Sequence, residues 1–318
     1  MKYGDILVKF VLNTLKNKFL VKFMTVFCTI YLFPWRGIFK LMRVDKPIGF
    51  FLLLWPTLWA LWLSEEKIPN YYVLAMFIIG VFLVRSFGCV INDCVDKDID
   101  CYVRRTSSRP LLSGMVSIQK ALILFVVLLV ISFVLLCLLD TSRQTILLSC
   151  ITLLLVCMYP YTKRCIPCPQ LFLGITFGCS ILIVFSVIGV SLCSFLPWLL
   201  FLVNILWTII YDTEYAMVDR DDDIFFSVQS SALLLGKYER FFIGGLQVVV
   251  LCLLIIVGLK TRIGLVFYFS LIGVAILFIW QQILMIGRNR DKCFQAFLSN
   301  HYVGMLIFLG IFLDLLFV

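Results

Sequence analysis

The stretch "YDTEYAMVDRDDD", residues 211–223, carries five aspartates and one glutamate in thirteen positions of a 318-residue chain that is 63% hydrophobic. It follows a largely apolar run, 195–210, and the same succession of apolar run and charged break recurs along the chain. With 14% charged residues and a mean hydropathy of +1.08, the sequence has too few polar side chains to cover a soluble globule. It is therefore read as an integral membrane protein. Runs of spanning length, about 17–25 residues, number nine: 48–64, 70–92, 120–139, 144–160, 170–193, 195–210, 238–258, 263–286 and 302–318. They are continuous rather than alternating, which argues against a β-barrel. A segment in lipid must satisfy its own backbone polar groups, so the expected fold is all-α, a polytopic bundle of nine transmembrane helices.

Charge sets the expected orientation. With the N-terminus in the cytoplasm, 22 Lys and Arg residues fall in the N-terminal segment and the breaks after spans two, four, six and eight. The opposite side receives Lys67, Arg143, Lys260 and Arg262 alone. This asymmetry predicts N-terminus in, C-terminus out. It also explains the net charge of +9 without nucleic acid, because the cations are spread over several breaks. Residues 1–35 form a separate extension. Lys2, Lys9 and Lys16 recur every seven residues between apolar positions, which suggests a basic helix on the membrane surface. Residues 36–318 are read as one domain.

On this topology the acidic stretch lies on the same face as a second cluster, "NDCVDKDIDCYVRRTSSRP", residues 92–110. If each continues its preceding span as a helix, Asp93, Asp96 and Asp100 fall within about 60° of one another, and Asp98 points elsewhere. Asp212, Asp219 and Asp223 likewise fall within about 40°. Like charges aligned on a helix repel and call for cations. Carboxylate oxygens suit Mg²⁺, which takes one or two carboxylates and completes its shell with water and phosphate oxygens. A diphosphate is the natural partner. Arg104, Arg105 and Arg109 follow the first cluster, and "YPYTKR" (159–164) places Lys163 and Arg164 at the same membrane face, where they could hold a leaving diphosphate.

Other constellations are incomplete. Cys165 and Cys168 have redox or zinc spacing, but no second pair and no nearby histidine completes a site. His301 is the sole histidine, which removes His-based metal clusters and Ser/His/Asp triads, and it is read as a polar residue at a helix start. A cation transporter would place carboxylates at span centres. Here only Arg85 and Asp314 fall clearly inside spans, and the acids collect at helix ends.

Together, "RVDKPIGFFLLLWPTLWALW" (43–62), "NDCVDKDID" with "RRTSSRPLLSG" (92–114), "YPYTKR" and "YDTEYAMVDRDDD" resemble the UbiA superfamily of intramembrane prenyltransferases, in particular its bacterial 4-hydroxybenzoate branch. The resemblance runs from about residue 36 to the C-terminus. It implies a nine-helix bundle around a central cavity open to lipid, in a bacterial inner membrane. It also implies Mg²⁺-dependent transfer of a polyprenyl chain from its diphosphate to the carbon ortho to the hydroxyl of 4-hydroxybenzoate, a step of ubiquinone synthesis. The family pattern NDxxDxxxD falls on Asn92, Asp93, Asp96 and Asp100. In the second motif Asp219 and Asp223 keep the four-residue spacing, while Ala216 stands four after Asp212. The resemblance makes these seven the metal ligands, with Asp93, Asp96, Asp212 and Asp219 catalytic. It gives Arg105, Arg109, Lys163 and Arg164 to the diphosphate, and Arg43 and Tyr159 to the aromatic acceptor. A different acceptor within the superfamily is the rival reading.

Arg85 joins the acceptor set on geometry. It lies seven residues before Asn92, about 20° from its face and roughly 10 Å deeper. A buried arginine needs a partner, and its planar fork matches a carboxylate.

Overall fold

The computed structural model describes residues 34–100, 106, 108–139, 142–226 and 229–316, without the side chains of residues 99, 163, 221, 222, 225 and 226. The expected basic surface helix of the N-terminal extension lies outside these, as do Arg104 and Arg105. Among the described residues all regular structure is helical, and nine helices are long and apolar enough to cross a membrane. In chain order the spans are Ile48–Glu65, Tyr71–Val95, Ile118–Leu138, Arg143–Cys165, Pro169–Ile188, Phe195–Phe226, Glu239–Thr261, Leu265–Leu284 and Arg290–Leu316. Local chemistry fixes several ends. Asn70, Ser117 and Ser142 accept backbone N–H groups at the starts of the second, third and fourth spans. Gly189, at φ 84°, ends the fifth in the left-handed conformation that glycine adopts without strain.

Two boundaries differ from the apolar runs. The sixth span does not stop at 210 but continues to Phe226, so the acidic stretch is helix rather than loop. The ninth begins at Arg290, because Cys293, Ala296, Phe297, Ser299 and Asn300 bury one face while Arg290, Asp291 and Lys292 keep the other in water. His301 is therefore not at a helix start. It sits well inside the ninth span, accepting at Nδ1 from Trp55 Nε1 (3.2 Å), with Phe51 at 4.5 Å between ring centres.

The spans form a ring in which the first packs against the second, fifth and ninth, and the sixth against the fifth, seventh and ninth. Gly174 and Gly178 let the fifth and sixth approach closely: a Cβ at Gly174 would lie 3.0 Å from the backbone of Ile205, and one at Gly178 2.6 Å from the Phe201 ring. Asp314, the acid read inside the last span, accepts from the N–H groups of Val266 (3.2 Å) and Phe267 (2.6 Å), so it caps the eighth span from the ninth.

A smaller apolar cluster orients the site. Ile38 and Leu41, from a short helix Trp35–Leu41, and Leu111 and Val116, from the connection between spans two and three, pack on Leu83, Phe87 and Val90 of the second span. Burying these side chains holds both flanking segments over the end of that span, and each segment carries an arginine.

Candidate active site

A cavity of about 880 Å³ opens inside the ring. It is lined by Asn92, Asp93, Asp96 and Asp100 from the second span and its extension, and by Asp212, Asp219 and Asp223 from the sixth. The two acidic clusters, separate in sequence, thus share one chamber. The helix of the second span ends at Val95, bends at Asp96 and resumes over Lys97–Asp100, with Asp96 N–H bonded to Asn92 O and Asp100 N–H to Asp96 O. Asp93, Asp96 and Asp100 are all buried, whereas Asp98 is exposed and outside the cavity, as the helical spacing predicts.

Arginines flank these acids. Arg43 Nη2 reaches both oxygens of Asp93, at 2.7 and 3.0 Å. Arg109 Nη1 lies 3.0 Å from Asp93 Oδ1 and is also paired with Asp100. Arg43 itself adopts a left-handed backbone (φ 58°), a conformation that costs energy in a non-glycine residue. Arg164 lines the cavity and donates to Val95 O at 3.1 Å, at the negative pole of the second span. The side chain of Lys163, like Arg105, lies outside the described residues.

Deeper in the cavity the composition changes. Arg85 makes no ion pair with any described residue, and its Nε is buried without a hydrogen-bond partner. Its guanidinium lies against the first span at Gly49, where a Cβ would come within 2.5 Å of Cζ. Tyr159 lies within electrostatic reach of Arg85, Asp212 and Asp96, and Tyr211 within reach of Arg85 and Asp212. Seven residues separate Arg85 from Asn92 and Asp212 from Asp219, which on a helix is about 10 Å. The cavity therefore has two polar layers, an outer one of carboxylates and arginines and an inner one of Arg85, Asp212 and Tyr159. The rest of its wall is mostly apolar, with Phe77, Val81, Leu136, Ile146 and Phe177, and is interrupted by hydroxyl side chains such as Ser132, Ser149 and Ser180.

Several features escaped the sequence reading. Gly49 is one, although it stands in a motif quoted for the resemblance. Phe294 and Phe297 also line the cavity, from the part of the ninth span that the apolar run missed. Glu214 belongs to the acidic stretch but points the other way: it is fully buried and accepts from Asn300 Nδ2 (2.7 Å), whose Oδ1 accepts from Trp207 Nε1 (2.9 Å). It serves helix packing. Cys165 and Cys168 are not bridged, and burial pushes the Cys168 thiol up, away from the thiolate that redox chemistry needs.

The sequence and the fold match known proteins. The model of the UbiA prenyltransferase family aligns with residues 53–310. The chain belongs to the UbiA prenyltransferase family. Among UbiA relatives, the 4-hydroxybenzoate octaprenyltransferase of Blochmanniella floridana is 52% identical over 279 residues, covering 87% of this chain and 98% of that protein. The apo structure of a UbiA homolog from Aeropyrum pernix K1 superposes with a TM-score of 0.73 at 27% identity, over 83% of this chain and 97% of that one. A UbiA homolog from Archaeoglobus fulgidus bound to DMAPP and Mg²⁺ shares the fold, with a TM-score of 0.68 at 14% identity over 89% of this chain and 100% of that one.

Proposed function

We propose that this UbiA chain transfers a polyprenyl group from its diphosphate to 4-hydroxybenzoate, giving 3-polyprenyl-4-hydroxybenzoate, and that the two layers of the cavity divide the work. The name of the Blochmanniella relative, at 52% identity over nearly its whole length, supports the acceptor and the reaction. Arg85, about 10 Å below the outer carboxylates and with an Nε that has no hydrogen-bond partner among the described residues, carries the assignment within the site.

The outer layer offers carboxylate oxygens and guanidinium groups, and Lys40 and Lys46 line the same cavity, a set that suits a divalent cation and a diphosphate. Among the described residues no three acidic side chains converge into a closed metal cage. Mg²⁺ needs no such cage, because one or two carboxylates hold it and water and substrate phosphates complete its shell. Asn92, Asp93, Asp96, Asp100, Asp219 and Asp223 would hold it. When bound it would neutralise charge developing on the leaving diphosphate. Arg43 and Arg109, fixed beside Asp93, direct N–H groups at the same place, so we assign Arg43 to this end together with Arg109 and Arg164.

In the inner layer Arg85 binds the acceptor carboxylate through its fork and turns the ring so that the carbon ortho to the hydroxyl faces the allylic carbon. Tyr159 borders the same layer. Asp212 lies there too, and on this reading it takes the ring proton when the new carbon–carbon bond forms as the allylic carbon–oxygen bond breaks towards diphosphate. The apolar wall excludes water from the allylic cation. The cytoplasm borders the outer layer, the N-terminal side is cytoplasmic, and the host membrane is a bacterial inner membrane, in keeping with the distribution of basic residues.

The test is Arg85→Lys, which keeps the charge and loses the fork. The apparent KM for 4-hydroxybenzoate should rise with that for polyprenyl diphosphate unchanged. Equal rises in both would refute the assignment, and the same membranes offered other aromatic acceptors test the substrate.

A further inference from the structure

The sixth span ends in a way that needs outside support. Its C-terminal part, from Asp219 to Phe226, holds four aspartates at the negative pole of the helix dipole, and no basic residue in its last turn opposes them. Acids at that pole are destabilising, and their mutual repulsion adds to the effect. The only cation in the segment is Arg220, which follows Asp219 and turns about 100° away from it, out of the cavity lining.

Behind the helix Arg220 meets Glu239. This carboxylate, at the start of the seventh span, is fully buried, and its Oε1 lies 4.0 Å from Arg220 Nη1 and 2.9 Å from Arg288 Nε. Arg288 stands between the eighth and ninth spans in a left-handed conformation (φ 49°) and donates through Nη2 to Gly236 O (2.9 Å). Three segments therefore meet at one buried carboxylate, the acidic end of the sixth span, the start of the seventh and the link before the ninth, and Arg288 also ties that link to the turn at Gly236. A buried charge flanked by two cations is costly to assemble and costly to break by removing one member. None of the three residues lines the cavity.

We propose that Glu239 is a positioning residue for the outer layer. Through Arg220 it fixes the rotation and reach of the end of the sixth span, so that Asp219 and Asp223 face Asp93 and Asp96 across the cavity. Arg288 anchors Glu239 to the neighbouring link. This rests on the proposed role of Asp219 and Asp223 towards a divalent cation and the diphosphate. It predicts that breaking the cluster weakens cation and diphosphate binding while the inner layer, about 10 Å deeper on the same helix, is left in place.

The experiment uses the full chain in lipid nanodiscs, with Mn²⁺ as the probe read by electron paramagnetic resonance, beside steady-state kinetics. Glu239→Gln should raise the Mn²⁺ dissociation constant between about 10- and 100-fold, the range that losing a group which orients metal ligands produces. It should raise the KM for polyprenyl diphosphate and leave that for 4-hydroxybenzoate unchanged, and Glu239→Asp should recover part of the loss. Arg288→Met, which leaves Glu239 with Arg220, should shift the same quantities less and serves as the readout if Glu239→Gln does not fold. Lower thermal stability with wild-type Mn²⁺ binding in both variants would overturn the proposal and leave a purely structural cluster. Asp219→Ala separates the premise from the inference: if it too binds Mn²⁺ normally, the cation reading of the outer layer falls, and the inference with it.

Discussion

Substituting Gly49 by alanine tests whether the backbone of the first span aims Arg85. The added methyl would lie 2.5 Å from Cζ and Nε of Arg85, where ordinary contact begins at 3.4 Å, so the guanidinium must retreat by about 1 Å. The helix itself gains from the change, since alanine is favoured over glycine in a helix interior by about 0.5–1 kcal/mol, and the protein should insert and fold. A misplacement of about 1 Å in a group that orients a reactant costs on the order of 100-fold. The expected outcome, measured in purified membranes with saturating polyprenyl diphosphate, is a loss of about that size in kcat/KM for 4-hydroxybenzoate, with the KM for the diphosphate unchanged. Because the methyl acts through the arginine, Gly49→Ala should add little to Arg85→Gln in a double-mutant cycle. Wild-type kcat/KM in folded Gly49→Ala protein, or a loss fully additive with that of Arg85→Gln, would refute the reasoning.

Asp93→Ala and Asp219→Ala, one from each acidic cluster, should each abolish transfer while membrane insertion stays normal, and EDTA should silence the wild-type enzyme. Activity that survives EDTA would remove the divalent cation from the reading. Reporter fusions within 93–118 and 211–237 should both report cytoplasm and one just after residue 262 the opposite side, and a split between the first two would contradict their shared cavity. Asp314→Ala removes the cap of the eighth span and should lower stability by about 1–2 kcal/mol, seen as a lower Tm in detergent with unaltered KM values. Asp314→Asn, which keeps an acceptor, should lose less.

How much of this was legible in the sequence depends on what each helix faces. Spans against lipid announce themselves as apolar runs, and all nine were found that way. The first three turns of the ninth span were not, because one side packs on protein and the other carries Arg290, Asp291 and Lys292 into water. The helical spacing of the aspartates was readable, and so was the shared face of Arg85 and Asn92, since both follow from a 100° turn per residue along one helix. Contacts between distant segments were not readable. Nothing local to Arg43 signals that it reaches Asp93, fifty residues away, and nothing local to Glu239 signals a partner at Arg288. Those pairings come from the packing of Leu41, Leu111 and Val116 on the second span, and from the way the links between spans meet at one end of the bundle.

The two acidic motifs are built differently, and the difference bears on what each aspartate can do. The sixth span is one unbroken helix from Phe195 to Phe226, so it acts as a ruler: Asp212 and Asp223, eleven residues apart, are held about 16 Å apart along its axis. A cation that binds oxygen at about 2.1 Å cannot be shared between the two. The wide spacing before Asp219, with Ala216 where a closer acid would stand, is then the sequence trace of two layers rather than a decayed repeat. The second span is broken at Asp96 instead, and its short continuation folds Asp100 back under Arg109. Its acids, with Asp219 and Asp223, line the outer layer, where the proposed mechanism neutralises charge as diphosphate departs. Asp212 is left beside Arg85 and Tyr159, the depth at which the proposed mechanism has the acceptor ring give up its proton.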